Sequence, residues 1–447
     1  MILAVGQEVE ITIVGLGVAG EGVGDYEGCK VFVQGALVQE RVKTRLTQVK
    51  AKYAIGKLLK IISRSPDRID PICPLFSTCG GCQIMHVDYP KQLEIKRQRI
   101  FDALTRIGKQ AHIDVPPVQA SPRPLHYRNK IQMPIASGGV GIQIGLYKRG
   151  SHQVVDVEKC WIHHVLGDGV FQQIASLIKA SSLSVYDERT KQGELRHLLL
   201  RTSEAKQEVF VLIITAKGPS EGVQKLSQQI ARIPGVRGVV HHKNARVDNV
   251  ILDRGFTTLY GDPYIEDTIC GLTFKISAAS FFQVNLLQAE NLYKEALQWA
   301  ELTPKSVVVD AYCGIGTLSL LLATQAARVI GIECVPQAIH DAKENALRNR
   351  MGNAQFICGL SEEVIDSLGA FDVLVLNPPR QGCAMSLLEG LGKTACKRII
   401  YISCDPATLA RDILILHSQG FLCERVCGFD MFPQTMHVET LALLTRR

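Results

Sequence analysis

Cys404 stands in ISCDPATL (402–409), between the apolar run RIIY and a proline-led segment. A cysteine can fill a core, ligate a metal or attack an electrophile, and this chain has 14 of them. Composition alone favours the first role. Cys73, Cys79 and Cys82, in CPLFSTCGGC, are spaced C-x5-C-x2-C. That is ligand spacing, with a fourth cysteine required from elsewhere in the chain. Four thiolates suit tetrahedral zinc or an iron–sulfur cluster, and the two-residue knuckle is commoner around zinc. A third group lies in DAYCGIGTLSL (310–320), where Asp310, Tyr312, Gly314 and Gly316 close an apolar run. Glycines there let the backbone approach a ligand. RVIGIE then ends in Glu333, 17 residues after Gly316, and an acid at that place accepts hydrogen bonds from a ribose diol. A dinucleotide fingerprint would need a third glycine or alanine, and Ser319 stands in its place.

These residues need elements to hold them. From about 277 the pattern alternates: helix NLLQAENLYKEALQWA, strand SVVVDAY, helix TLSLLLATQA, strand RVIGIE, helix PQAIHDAKENALRNR, strands AQFICG and FDVLVLNPP, a further helix, strand RIIYIS and helix PATLARDILILHSQG. Such alternation predicts a doubly wound, mostly parallel sheet. Ligands in these sheets sit at the carboxyl ends of strands. The glycine loop, Glu333, Asn377 and Cys404 all fall there. Cys404 also precedes Asp405-Pro406, a helix start, so it is expected near a helix N-terminus, which favours the thiolate.

Residues 1–62 read as all-β and as a small barrel. The glycine-rich GLGVAGEGVGDYEG (Gly15, Gly17, Gly20, Gly22, Gly24) is expected to join the first two strands as a mobile loop. Lys43, Arg45, Lys50, Lys52, Lys57 and Lys60 make the second half basic, as on nucleic-acid-binding barrels. Residues 63–265 follow as a middle α/β domain. They hold the cysteine loop and an amphipathic helix at about 90–110 (Leu93, Ile100, Leu104, Ile107), a candidate to pack on the catalytic domain. Residues 266–447 form the third domain. A length of 447 residues suits two or three domains, and 46% hydrophobic with 21% charged residues excludes a largely disordered chain. The net charge of +7 fits a polyanionic partner. The first residues lack a basic n-region, and no run of about 20 apolar residues exists. A cytoplasmic protein without a membrane segment is expected, its cysteines reduced and its cysteine cluster metal-binding or catalytic.

D-x-x-C-G-x-G with a downstream Glu resembles the S-adenosylmethionine loop of Rossmann-like methyltransferases. In LVLNPPRQG, Arg380 follows the Pro378-Pro379 pair where amine methyltransferases often carry an aromatic residue. SCDPATLARD, DMFPQTMHVET, FFQVN, DAYCGIGTLSL, LRHLLLRTS and CPLFSTCGGCQ together resemble the RNA uracil-5 methyltransferases. Within them the likeness is to the bacterial 23S ribosomal RNA branch with a TRAM domain and an iron–sulfur cluster, and it spans essentially the whole chain. The fold so implied is an α/β multidomain protein: a TRAM (OB-like) β-barrel, a middle α/β domain with the cluster and a C-terminal Rossmann-like methyltransferase domain.

The chemistry explains the cysteine. Carbon 5 of uracil is a poor nucleophile, and a thiolate added to carbon 6 makes an enolate that can attack a sulfonium methyl group. A base must then remove the proton from carbon 5. The resemblance implies Cys404 as nucleophile and Glu439, in HVET, as base. It implies S-adenosylmethionine on Gln283, Tyr312, Gly314, Gly316, Thr317, Glu333 and Asn377. It supplies Cys160 as fourth ligand and reverses the spacing argument, implying [4Fe–4S] rather than zinc. Arg128, Asn129 and Lys130 in LHYRNKIQ are candidate RNA contacts, and the target uracil must flip out of its stack. The implied substrate is 23S ribosomal RNA, with transfer RNA as the alternative, and the expected state is a monomer. The family usually has Asp at position 377; Asn377 is uncharged and cannot act as a base. Phe281 and Phe282 read as core residues.

Overall fold

Alternation of apolar and polar residues builds the N-terminal sheet. A computed structural model describes residues 3–139, 141–253 and 255–447. Strands β1 (Glu8–Leu16), β2 (Gly22–Tyr26), β3 (Cys29–Val33), β4 (Arg41–Val49) and β5 (Tyr53–Ser63) close into a barrel in the order β1-β2-β3-β5-β4. Val9, Ile11, Ile13, Val31, Val33, Val42, Leu46 and Ala54 fill its interior. The glycine-rich segment is more than the loop expected: its residues 22–26 are β2, paired with both β1 and β3. A Cβ on Gly22 would lie 2.8 Å from the Ala36 carbonyl oxygen, and one on Gly24 2.7 Å from that of Thr12. Glycine thus permits the close approach that seals a narrow barrel, while its poor strand propensity hides the strand in the sequence.

The chain divides into two units, Met1–Ile95 with Tyr147–Gln153 and Phe432–Met436, and Lys96–Leu146 with Val154–Met431 and His437–Arg447. The boundary falls within α1 (Tyr89–Arg106), the amphipathic helix anticipated at about 90–110. In the second unit, the fully buried Lys96 pairs with the fully buried Asp430 at 2.5 Å. An unpaired ammonium there would be very costly, so the two sequence-distant segments need each other.

A seven-stranded sheet comes next in the second unit. It is built from β6 (Lys130–Gly138), β7 (Gly141–Tyr147), β8 (Val154–Asp156), β9 (Leu195–Ser203), β10 (Glu208–Thr215), β11 (Val236–Lys243) and β12 (Phe256–Gly261), in the order β12-β11-β10-β9-β6-β7-β8. Helices α2 (Val165–Ala180) and α3 (Glu221–Ile230) accompany it. The hairpin β13 (Tyr264–Ile269) and β14 (Leu272–Ser277) leads to α4 (Leu286–Ala300).

The last sheet positions the site. Its members are β15 (Val307–Ala311), β16 (Arg328–Glu333), β17 (Ala354–Cys358), β18 (Val373–Leu376), β19 (Arg398–Ser403), β20 (Phe421–Phe429) and β21 (Glu439–Arg446). They run in the order β17-β16-β15-β18-β19-β21-β20; the first five are parallel, and β21 alone is reversed, antiparallel to both β19 and β20. The order reverses at β15, the switch point where such sheets open a crevice. Helices α5 (Thr317–Ala323), α6 (Pro336–Arg348), α7 (Ser361–Val364), α8 (Met385–Gly390) and α9 (Pro406–Ser418) fill the crossovers. Apolar runs such as VLVL and RIIYIS are buried on both faces, as central parallel strands require. Among the described residues, no helix is long and apolar enough to cross a membrane.

Candidate active site

The carboxyl ends of four parallel strands bring the chemistry-bearing residues to one edge. Tyr312 follows β15, Glu333 ends β16, Asn377 follows β18 and Cys404 follows β19. Antiparallel β21 supplies the fifth residue. Its register pairs Thr440 with Ser403. One step outward, Cys404 therefore stands opposite Glu439, the first residue of β21.

Glu439 is only 5% exposed. Burial pushes its carboxyl up to about 8, and the nearby Arg380 guanidinium works against that rise. Cys404 is half-buried. Burial and then the charge of Glu439 push its thiol up, while Arg380, within hydrogen-bonding reach of the sulfur, acts the other way. The expectation that a helix N-terminus would favour the thiolate is thus reversed. Asp405 caps α9, its Oδ1 accepting from the Ala407 N–H at 2.8 Å. The helix end is already answered by that carboxylate, and burial decides the thiol. Arg380 is the group that sequence reasoning missed. It was read only as the absence of an aromatic residue, yet it is the cation facing both Cys404 and Glu439. His437 lies there too; burial first, then Arg380, Arg99 and Lys96, hold its imidazole down to about 4.

A buried network anchors the loop that carries Arg380. Asp412 of α9 accepts from the Tyr401 hydroxyl at 2.5 Å and from the Cys383 N–H at 2.9 Å. Its other oxygen pairs with Arg411. Asp412→Asn should lower unfolding free energy by about 2–4 kcal/mol, because charge-assisted bonds in a sealed site are lost together. Denaturant titration of the variant checks this; a change under about 0.5 kcal/mol would mean that the loop does not depend on the carboxylate.

The glycine loop is held from beneath. Asp310 is fully buried, its carboxyl pushed up to about 7 by burial, and it accepts from the Ser319 hydroxyl at 2.5 Å. Ser319, where a dinucleotide loop would need glycine, locks loop to helix instead. Tyr312 sits at φ +65°, a conformation costly for a residue with a side chain, and Gly314 and Gly316 follow at +57° and +80°. A Cβ on Gly314 would meet nothing within 4 Å, so the space above it is open. Thr317 begins α5 and is buried. Glu333 faces this loop and accepts from the N–H groups of Gly314 (3.3 Å) and Val335 (3.0 Å).

Gln283 is buried and hydrogen-bonded to Tyr293 of α4. Its carbonyl accepts from the Asn129 side-chain amide at 3.0 Å, which ties LHYRNKIQ to FFQVN. Arg128 donates from Nε to the Lys130 carbonyl at 2.9 Å. Burial, then Arg201 and Arg128, depress the Lys130 ammonium to about 7. Of the two phenylalanines expected in the core, one is there and one is not. Phe282 is core, 6.1 Å from the Phe274 ring, but Phe281 is 68% exposed. An apolar doublet cannot reveal in sequence which ring faces out.

Cys73, Cys79 and Cys82 lie in the first unit, and Cys160 in the second. None is in a disulfide. The Gly81 N–H donates to the Cys79 sulfur at 3.4 Å, and Arg149 donates to the carbonyls of Cys79, at 3.2 Å, and of Cys82. Arg149 thus braces the backbone of the cysteine loop, and the Gly81 amide is directed at one of its thiols.

The TRAM domain matches residues 3–59, and the tRNA (Uracil-5-)-methyltransferase family matches residues 264–447. An uncharacterized RNA methyltransferase of Clostridium tetani is 40% identical over 438 residues, covering 97% of this chain and 95% of that protein. One from Halalkalibacterium halodurans is 41% identical over 441 residues, covering 98% and 96%. Among solved structures, the tRNA (uracil-54, C5)-methyltransferase of Pyrococcus abyssi in complex with S-adenosyl-L-homocysteine is similar. It has 26% identity and a TM-score of 0.79, with 98% of this chain and 100% of that one covered. With likeness over nearly its full length, and the edge-on pairing of Cys404 with Glu439 in the segment the family matches, the chain belongs to the tRNA (uracil-5-)-methyltransferase family and is an RNA methyltransferase.

Proposed function

We propose that the protein uses S-adenosylmethionine to methylate carbon 5 of a uridine in 23S ribosomal RNA through a covalent adduct on Cys404. The observation carrying this reading is the register that sets Cys404 against a buried Glu439 with Arg380 beside both. Cys404 adds to carbon 6 of a flipped uracil, and Arg380 favours the thiolate that does so. S-adenosylmethionine, when bound, supplies an electrophilic methyl group. Tyr312, Gly314, Gly316 and Thr317 would hold it, with Glu333 toward its ribose and Gln283 and Asn377 beside it. The open space over Gly314 and the acid facing it fit such a ligand. Once carbon 5 carries the methyl group, Glu439 takes its proton, and the electrons of that C–H bond expel the Cys404 thiolate. Asn377 contributes hydrogen bonds and no charge.

The remaining assignments belong to the same proposal. Residues 1–62 hold RNA, residues 63–265 carry a [4Fe–4S] cluster on Cys73, Cys79, Cys82 and Cys160, and residues 266–447 do the chemistry. Zinc is the other occupant that four thiolates would accept. Arg128, Asn129 and Lys130 approach the RNA. Lys130, with its ammonium depressed, gains charge when a phosphate or another anion comes near. Transfer RNA is the second reading, favoured by the Pyrococcus abyssi enzyme, whose substrate is tRNA uracil-54.

Methyl transfer from labelled S-adenosylmethionine to transcribed 23S fragments and to transfer RNA tests the substrate. Label in transfer RNA alone would overturn the ribosomal reading. Iron and sulfide analysis of anaerobically purified protein tests the cluster; bound zinc without iron would overturn it. The exposed ring of Phe281 is placed to stack on a base. Phe281→Ala should weaken RNA binding by about 1–3 kcal/mol and leave S-adenosylhomocysteine affinity unchanged, as RNA titration and calorimetry would report.

A further inference from the structure

Two exposed cysteines stand side by side at the edge of the sheet that holds Glu333. Cys334 follows Glu333 directly, and Cys358 ends the neighbouring strand β17. The parallel register makes Glu333 and Cys358 partners, so Cys334, in the bend just past β16, lies one residue beyond the partner of Cys358. Because Cys334 has left the strand, strand alternation does not hold its side chain to the face opposite Cys358, and its thiol lies close enough to feel the charge of the Cys358 sulfur. The Cys358 thiol lies 3.9 Å from the carbonyl oxygen of Cys334. Nothing in the methyl-transfer chemistry uses either sulfur. We propose that Cys334 and Cys358 are an oxidative modification site that closes into a disulfide and weakens cofactor binding by disturbing Glu333.

The coupling runs through a hydrogen bond. The Cys334 thiol donates to Glu333 Oε1 at 3.4 Å, and the same oxygen accepts from the Val335 N–H at 3.0 Å. A disulfide has no S–H, so Glu333 loses that donor, and the turn at 334–335 is drawn toward β17. The oxidant class is a low-molecular-weight disulfide. One protein thiolate attacks it, forming a mixed disulfide and releasing one thiol. The second protein thiolate then attacks the mixed disulfide and releases another thiol. Two protons leave the cysteines, the protein pair is oxidised by two electrons, and the reagent is reduced to two thiols. Reversible pairs of this kind are the usual form of disulfide in a reducing compartment. The effect on the cofactor rests on the reading of Glu333 given under Proposed function; the bond itself does not.

The test incubates the full-length protein with glutathione disulfide, alkylates the remaining thiols and maps the peptides by mass spectrometry. The same samples are titrated with S-adenosylhomocysteine. The expected result is a Cys334–Cys358 linked peptide and affinity about tenfold weaker, the loss of a hydrogen bond to a charged group. Dithiothreitol should restore both, and Cys358→Ser should give neither change. Separate glutathione adducts, or free thiols at both positions, would overturn the site. A linked peptide with unchanged affinity would overturn the coupling. Failure of the reduced protein to bind S-adenosylhomocysteine at all would instead overturn the cofactor reading of the crevice and leave the disulfide standing.

Discussion

Cys404→Ser should abolish methyl transfer, with a loss of at least about 10⁴-fold, because the proposed activation of carbon 5 of uracil runs through the Cys404 thiolate. The hydroxyl that replaces the thiol is far harder to ionise and adds poorly to carbon 6. Arg380 cannot compensate, because its leverage on the thiol is already outweighed by burial and by Glu439. RNA carrying 5-fluorouridine gives the clean readout. After methylation, carbon 5 then holds fluorine where a proton should be, so elimination stalls and the native enzyme remains linked to RNA through Cys404. The serine variant should form no such species on a denaturing gel. Its S-adenosylhomocysteine affinity should stay within about twofold, since the glycine loop and Glu333 are untouched. Retention of more than about a tenth of the native rate would sink the nucleophile assignment.

How far the sequence leads to this site depends on whether the contacts are local. Strand and helix periods place Cys404, Glu333 and Asn377 at strand ends, because alternation within a few residues is enough to announce a parallel sheet. The pairing of Cys404 with Glu439 is different. It arises from the register between β19 and β21, whose near ends, Ser403 and Glu439, are 36 positions apart in the chain, and only the family resemblance named it in advance. Arg380 escaped notice for the same reason: its meaning comes from what the fold sets around it. β2 was hidden because its glycines serve close packing rather than strand propensity. The direction of the Cys404 shift was also misread, since a sequence displays a helix start but neither its Asp405 cap nor the burial that outweighs it.

Glu439→Gln should divide the reaction in two. Cys404 would still attack, and one methyl group per enzyme would still be transferred, but removal of the carbon 5 proton should slow by about 10²- to 10⁴-fold, the usual share of a positioned base. Methylated RNA should therefore accumulate in a covalent complex even with ordinary uridine, visible as a band that carries label from the methyl donor. The pH profile separates this from a general loss of fit. A base must be ionised, and burial holds the Glu439 carboxyl up at about 8. Native turnover should accordingly rise with pH through about 8. Glutamine removes that limb, and by removing a negative neighbour it also lets the Cys404 thiol ionise more readily, so adduct formation should begin at lower pH than in the native enzyme. Stability gives an independent sign. A carboxyl raised from 4.5 to about 8 in the folded state favours folding below the unfolded value. That contribution is lost as pH climbs through the folded one. The native protein should therefore lose stability over that window, and the glutamine variant should not share the loss. At pH 9 the variant should be the more stable of the two in denaturant, as expected where a charged group is kept buried for chemistry rather than for the fold. Equal stability at pH 9, together with prompt release of methylated RNA, would remove Glu439 from the mechanism and require another base to be found at the edge of the sheet.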